Sequence, residues 1–126
     1  AGLADTSVFI AHETGRPLRS DALPDLLAVS VITIGELRAG VLAASDIQTR
    51  DRRLATLTNA IALEPVPVDA GVAEAWARLR VTLRDAGVRM PVNDSWIAAT
   101  AIALGVPIVT QDDDYLDIAG LPVIHV

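Results

Sequence analysis

The chain has 126 residues, 52% of them hydrophobic and only 3% aromatic, and carries a formal net charge of −6. That composition excludes a disordered chain, and the length suits one domain spanning residues 1–126, since domains commonly run to about 100–150 residues. The absence of cysteine excludes a disulfide framework or a thiolate metal site, and the acidic balance argues against a protein that grips nucleic acid by bulk electrostatics.

In chain order, residues 2–4 read as a very short first strand. Residues 26–32 (Leu-Leu-Ala-Val-Ser-Val-Ile) form an apolar run of the kind buried on both faces of a parallel sheet. Helices are expected over about 33–44 and 45–58. Ser45-Asp46-Ile47-Gln48 has capping-box spacing, and Ile47, Leu54 and Leu57 share one stripe. Residues 61–68 read as a third strand that Pro65 and Pro67 confine to an edge or cut short. Asp69 can cap a helix over 70–86, with Val72, Trp76, Leu79 and Leu83 on its inner face and Gly87 as its stop. A further helix starts near Asp94, turns Ile97, Ala101 and Leu104 inward and ends at Gly105. Residues 106–110 and 121–126 read as the last strands. Strand and helix signals thus alternate, as in an α/β fold with a parallel sheet built from right-handed crossovers.

The longest uncharged run, residues 95–111, is broken by Gly105 and Pro107 and falls short of the roughly 20 apolar residues of a membrane span. No basic n-region with an apolar h-region opens the chain, so neither membrane nor secretory targeting is expected, and the cytoplasm is the default compartment.

Four acidic segments stand where strands hand over to helices: Leu-Ala-Asp5-Thr-Ser, Thr-Ile-Gly-Glu36-Leu-Arg-Ala-Gly, Asn-Asp94-Ser-Trp-Ile-Ala-Ala, and Ile-Val-Thr-Gln-Asp112-Asp-Asp114-Tyr-Leu. Each has a local alternative. Thr33-x-x-Glu36 has capping-box spacing, Asp5 can be an N-cap, Asp94 can be a helix-start acid favoured by the macrodipole, and Asp113 reads as a solvated turn. Asp94 nevertheless shares a face with Ile97, Ala98 and Ala101, and no Lys or Arg lies within four residues of it. In a doubly wound sheet the carboxyl ends of the strands share one edge, so the four acids would gather there as like charges that a hard cation, Mg²⁺ or Mn²⁺, relieves.

All ten basic residues are arginine, which removes the lysine that P-loops and Schiff bases need. Arg50, Arg52 and Arg53, and the series Arg78, Arg80, Arg84 and Arg89, read first as solvated helix faces, with RNA-backbone contact as the second reading. His12 and His125 read as structural, and Trp76 and Trp96 lie too far apart in sequence to argue a base-stacking platform.

Together, the early Asp-Thr-Ser, the mid-chain Glu-Leu-x-x-Gly, the aspartate opening an alanine-rich helix and the strand ending in Thr-x-Asp-x-Asp-Tyr resemble the signature of PIN-domain nucleases, most closely the VapC toxins of bacterial toxin–antitoxin pairs. The resemblance runs from Leu3 to the C-terminus. It departs at the first strand, where the family places several aliphatic residues and this chain has Ala1-Gly2-Leu3-Ala4; a truncated or tag-derived start is expected there. The resemblance implies a PIN-like three-layer α/β/α architecture with a central, mainly parallel sheet of four to five strands. It implies Asp5, Glu36, Asp94 and Asp112 as the catalytic acids, with Asp5, Asp94 and Asp112 among the metal ligands, Asp114 as an outer or second-metal ligand, and Thr6, Ser7 and Thr110 orienting ligands or water. It further implies Mg²⁺- or Mn²⁺-dependent endoribonuclease activity, a VapB-type antitoxin and a homodimer. The rivals are a small magnesium phosphohydrolase, for which Ser7 stands where a second aspartate is usual, and a non-catalytic, metal-stabilised binding module.

Overall fold

A computed structural model of the chain describes residues 1–113, Tyr115 and residues 120–126. Its elements are β1 (Gly2–Ala4), α1 (Thr6–Thr14), β2 (Leu27–Ala28), α2 (Val31–Ala43), α3 (Ile47–Ile61), α4 (Ala70–Ala86), α5 (Val92–Leu104), β3 (Ile108–Thr110) and β4 (Val123–His125), with a 3-10 turn at Ser20–Ala22. The four strands lie in the order β2-β1-β3-β4, and each neighbouring pair is parallel. The expected mainly parallel sheet and α/β architecture are therefore present.

Strand alternation sorts the core into two faces. Leu3 and Ile108 point to one side, where they pack with Leu79 and Leu83 of α4 and Ile97, Ala98 and Ala101 of α5. Ala4 and Val109 point to the other, against Val8 and Phe9 of α1. A third cluster, Leu37, Val41, Leu57 and Ala60, joins α2 to α3 and reaches α1 through Phe9. Gly2 is required by close approach. A Cβ there would lie 2.7 Å from Val109 Cγ2 and 3.1 Å from Pro24 Cγ.

α4 follows its local signals. The Asp69 side chain accepts from Val72 N, Gly87 closes the helix at φ 67°, and Val72, Leu79 and Leu83 are buried. Elsewhere the boundaries move. The strand expected over 26–32 shrinks to Leu27–Ala28, because the Ser30 side chain accepts from Ile32 N and starts α2 inside the apolar run. α3 is capped by Asp46 rather than Ser45, with Asp46 Oδ1 accepting from Thr49 N at 2.8 Å. Its buried face is Thr56, Leu57 and Ala60, while Ile47 and Leu54 are exposed.

The strand expected over 61–68 does not form. α3 runs to Ile61, Glu64 adopts a left-handed φ of 56°, and a single parallel bridge, Ser30 with Val66, is what remains between the two donor-less prolines. α5 begins at Val92, so Asp94 is its third residue, and Leu104 is exposed where an inward position was expected. Among the described residues, no helix is long and apolar enough to cross a membrane.

Candidate active site

Because all four strands run the same way, their carboxyl ends lie on one edge, and the acids are delivered there by different elements. Asp5 follows β1 directly, and its amide donates to Val109 O at 2.9 Å. Glu36 comes from the second turn of α2, Asp94 from the first turn of α5, and Asp112 from the segment after β3. All four line one open cleft of about 320 Å³, together with Thr6, Ser7, Ile10, Ala11, Thr14 and Arg16. The cleft thus collects the four acids expected from the sequence. Asp114 lies outside the described residues. Asp113 is exposed, as its turn reading expected.

Asp5 is the most deeply set acid, only 2% exposed. Its N-cap reading is realised, and it also lines the cleft. Oδ1 accepts from Ser7 N at 3.0 Å and from Ser7 Oγ, and Oδ2 accepts from Thr110 Oγ1 at 2.8 Å. Thr110 Oγ1 also accepts from the amide of Asp112 at 2.9 Å, and Ser7 Oγ from that of Gln111 at 3.0 Å. Ser7 and Thr110 therefore tie the loop after β3 to the carboxylate after β1. Burial pushes the Asp5 carboxyl above the ordinary carboxylate value; the Ser7 and Thr110 hydrogen bonds oppose this, and the charge of Asp112 adds to it.

Glu36 is not a capping-box partner. The N-cap of α2 is Ser30, so Thr33 is the third residue of the helix and not the cap that a capping box with Glu36 would need. Glu36 Oε1 instead accepts from Thr6 Oγ1 at 2.7 Å, and Thr6 Oγ1 also lies 3.0 Å from Thr33 Oγ1. Asn93 Nδ2 approaches Glu36 Oε2 at 3.5 Å, the outer limit of a hydrogen bond. Of the three hydroxyl residues expected to orient ligands, Ser7 and Thr110 serve Asp5, and Thr6 serves Glu36.

The acids line the cleft without closing into a cage: among the described residues, no three of them gather around one point as a ready metal site. His12 is exposed on α1 and His125 lies in β4, and neither lines the cleft.

Several contributors were not legible in the sequence. Arg16 follows the Gly15 turn and has no local motif. Trp76 and Trp96, distant in sequence, stack with ring centroids 4.3 Å apart and planes within 5°. Trp76 Nε1 donates to Ser95 Oγ at 3.0 Å, and Ser95 Oγ donates to Val92 O, so the residue next to Asp94 is pinned to α4. Tyr115 is fully buried, and its hydroxyl closes no hydrogen bond with a described residue. Burial first, then the charges of Asp5, Asp94 and Asp112, raise its ionisation so far that it stays a neutral phenol.

Sequence and structure comparisons show which known proteins the chain is similar to. The profile of the PIN domain matches residues 3–121. The chain is 49% identical over 120 residues to ribonuclease VapC5 of Mycobacterium tuberculosis (strain ATCC 25618 / H37Rv), covering 95% of this chain and 89% of that protein. It is 50% identical over 129 residues to ribonuclease VapC4 of the same strain, covering 98% and 95%. The crystal structure of VapBC-5 from Mycobacterium tuberculosis, a member of the VapBC family of toxin–antitoxin systems, contains a chain that superposes with a TM-score of 0.91 at 46% identity, over 99% of this chain and 98% of that one. With four acids from four elements on one sheet edge and near-full-length similarity to such proteins, the chain belongs to the PIN-domain family and, within it, to the VapC proteins.

Proposed function

We propose that this chain is a metal-dependent endoribonuclease that hydrolyses RNA phosphodiester bonds, and that it is the toxin half of a toxin–antitoxin pair. The observation that carries the reading is the cleft itself. Asp5, Glu36, Asp94 and Asp112 reach it from four separate elements, and Asp5 is buried there against the charge of Asp112. Helix capping alone accounts for one bond of Asp5 and leaves the convergence unexplained.

The residues present fit a hard divalent cation. The donors are all oxygen, and an open arrangement suits Mg²⁺, which keeps several waters and takes one or two carboxylates at a time rather than a full protein cage. Asp5, Asp94 and Asp112 would hold Mg²⁺ or Mn²⁺, with Glu36 as the fourth acid of the site and Asp114 as an outer or second-metal ligand. When bound, the ion activates water and offsets charge developing on the phosphodiester. The rest is done by the chain. Ser7 and Thr110 fix both oxygens of Asp5, Thr6 fixes Glu36, the Trp76–Ser95 bond steadies the first turn carrying Asp94, and one of the carboxylates accepts the proton of the attacking water. Hydrolysis by water needs no covalent enzyme intermediate and no histidine. Ser7 donates to Asp5, which leaves the phosphohydrolase reading without its second aspartate.

The partner we infer is a VapB-type antitoxin. Beside the acids, a second hollow of about 280 Å³ between α1, α2 and α3 shares Ile10, Thr14 and Glu36 with the cleft and adds Leu37 and Gly40, with Glu13, Arg52 and Arg53 as its charged residues. An apolar segment seated there could carry an arginine to the carboxylates and block the cleft with a guanidinium fork. Homodimerisation through other helix faces is compatible with this, as is a cytoplasmic location, where RNA and partner are both met.

A labelled RNA incubated with the purified chain in chelator, and then with Mg²⁺ restored, tests the activity: cleavage is expected only after restoration. Cleavage unaffected by chelator would remove the metal from the account, and none under either condition would leave a binding module. Co-expression with the neighbouring reading frame tests the partner. Recovery of the chain alone, active and tolerated by the cell, would count against the antitoxin.

A further inference from the structure

The α4–α5 corner carries a second feature of opposite charge. A pocket of about 300 Å³ is lined by Arg80, Leu83, Arg84, Val88, Arg89 and Met90, three of the ten arginines of a chain whose net charge is −6, with no carboxylate in its lining. Its floor is apolar and firm, because Leu83 and Met90 are buried in the core against the sheet. We propose that this pocket is a backbone-phosphate subsite for the RNA strand that enters the acidic cleft, an inference that rests on the ribonuclease reading above.

The arginines are arranged for this rather than merely exposed. The Arg80 guanidinium lies 5.7 Å over the ring of Trp76, and that ring is held by its stack on Trp96 and its bond to Ser95, so Arg80 is oriented before any ligand arrives. Arg84 is turned toward Asp85 in an exposed pair at 3.2 Å, a contact weak enough to exchange for a phosphate. Arg89 sits on the connection that leads into α5, five residues before Asp94, so its Cα stands no more than about 18 Å from that of Asp94. That is a few nucleotides of single strand. The acidic cleft repels a polyanion except where a cation lies, and a cationic fork beside it would hold the flanking backbone in place without reading its sequence.

The test compares the full-length chain with Arg80→Gln/Arg84→Gln/Arg89→Gln, measuring kcat/KM for a labelled single-stranded RNA with Mg²⁺ across a salt series. The triple variant is expected to lose about tenfold in kcat/KM at low salt and to show a salt slope shallower by about 2, as removal of phosphate contacts requires. Its Mg²⁺ affinity by calorimetry should match the wild type, and Arg89→Lys in the wild-type background should retain the slope. If the wild type cuts RNA and the triple variant matches its kcat/KM and its slope, the pocket is a solvated helix face or a protein contact, and the proposal is overturned. If the wild type cuts no RNA, the ribonuclease reading itself fails and takes the subsite with it.

Discussion

Asp94→Asn is expected to reduce metal-dependent RNA cleavage by well over a hundredfold while the chain still folds. Loss of a group that only supports a metal ligand commonly costs about 10–100-fold, and a ligand should cost more. Folding should survive because the start of α5 is secured elsewhere: Ser95 N donates to Pro91 O at 3.0 Å, and Trp76 holds Ser95 Oγ. Two small effects on stability oppose each other. The variant gives up a favourable helix-dipole interaction of about 0.3–1 kcal/mol, and it relieves repulsion among acids sharing one cleft. Net metal-free stability should therefore be unchanged or slightly higher. Thermal melts beside a cleavage assay check both halves. Full activity would remove Asp94 from the site, and unfolding without any loss of specific activity would restore a purely structural helix acid.

Metal-free stability should rise as the solution is acidified from neutral pH toward the ordinary aspartate value of 3.8. The native chain holds Asp5 with a raised pKa, so it takes up that proton at a higher pH than the unfolded chain does, and the state that binds more protons is favoured on acidification. The gain accumulates as pH falls through the folded-state pKa and is complete below 3.8. Asp46 works in the opposite sense and in a lower window. Its pKa is depressed by the Thr49 amide and hydroxyl, so its contribution is lost below the same ordinary value, which closes the stable range from the acid side. Saturating Mg²⁺ should stabilise the chain at neutral pH by mass action and flatten the rise. Melts in chelator that show stability only falling from pH 7 to 4 would contradict a desolvated Asp5.

How far the site could be read beforehand differed from residue to residue, for physical reasons. α4 was legible because both of its ends are local events, an aspartate accepting from an amide three residues on and a glycine at positive φ, and its inner face keeps the helical period. The acids were legible as a set because strand-to-helix junctions recur on one edge of a parallel sheet. Glu36 was open to misreading because Thr33-x-x-Glu36 has the spacing of a cap, while the true cap, Ser30, is hidden in an apolar run that looks like strand throughout. Residues 61–68 carry strand composition, yet the preceding helix extends into them and the prolines leave Val66 as their one ladder donor. The Trp76–Trp96 stack and the Thr6–Glu36 bond are tertiary contacts, and no local pattern announces them.

The central claim is that four acids from four elements act as one cation site, and calorimetric titration of Mn²⁺ into the wild type and into Asp5→Asn, Glu36→Gln, Asp94→Asn and Asp112→Asn tests it most directly. Saturable binding is predicted for the wild type, and each substitution should weaken that same transition by about tenfold or more. A wild type that takes up no divalent ion, or four variants that all bind as it does, would contradict the claim and leave the acids as helix caps that happen to share an edge.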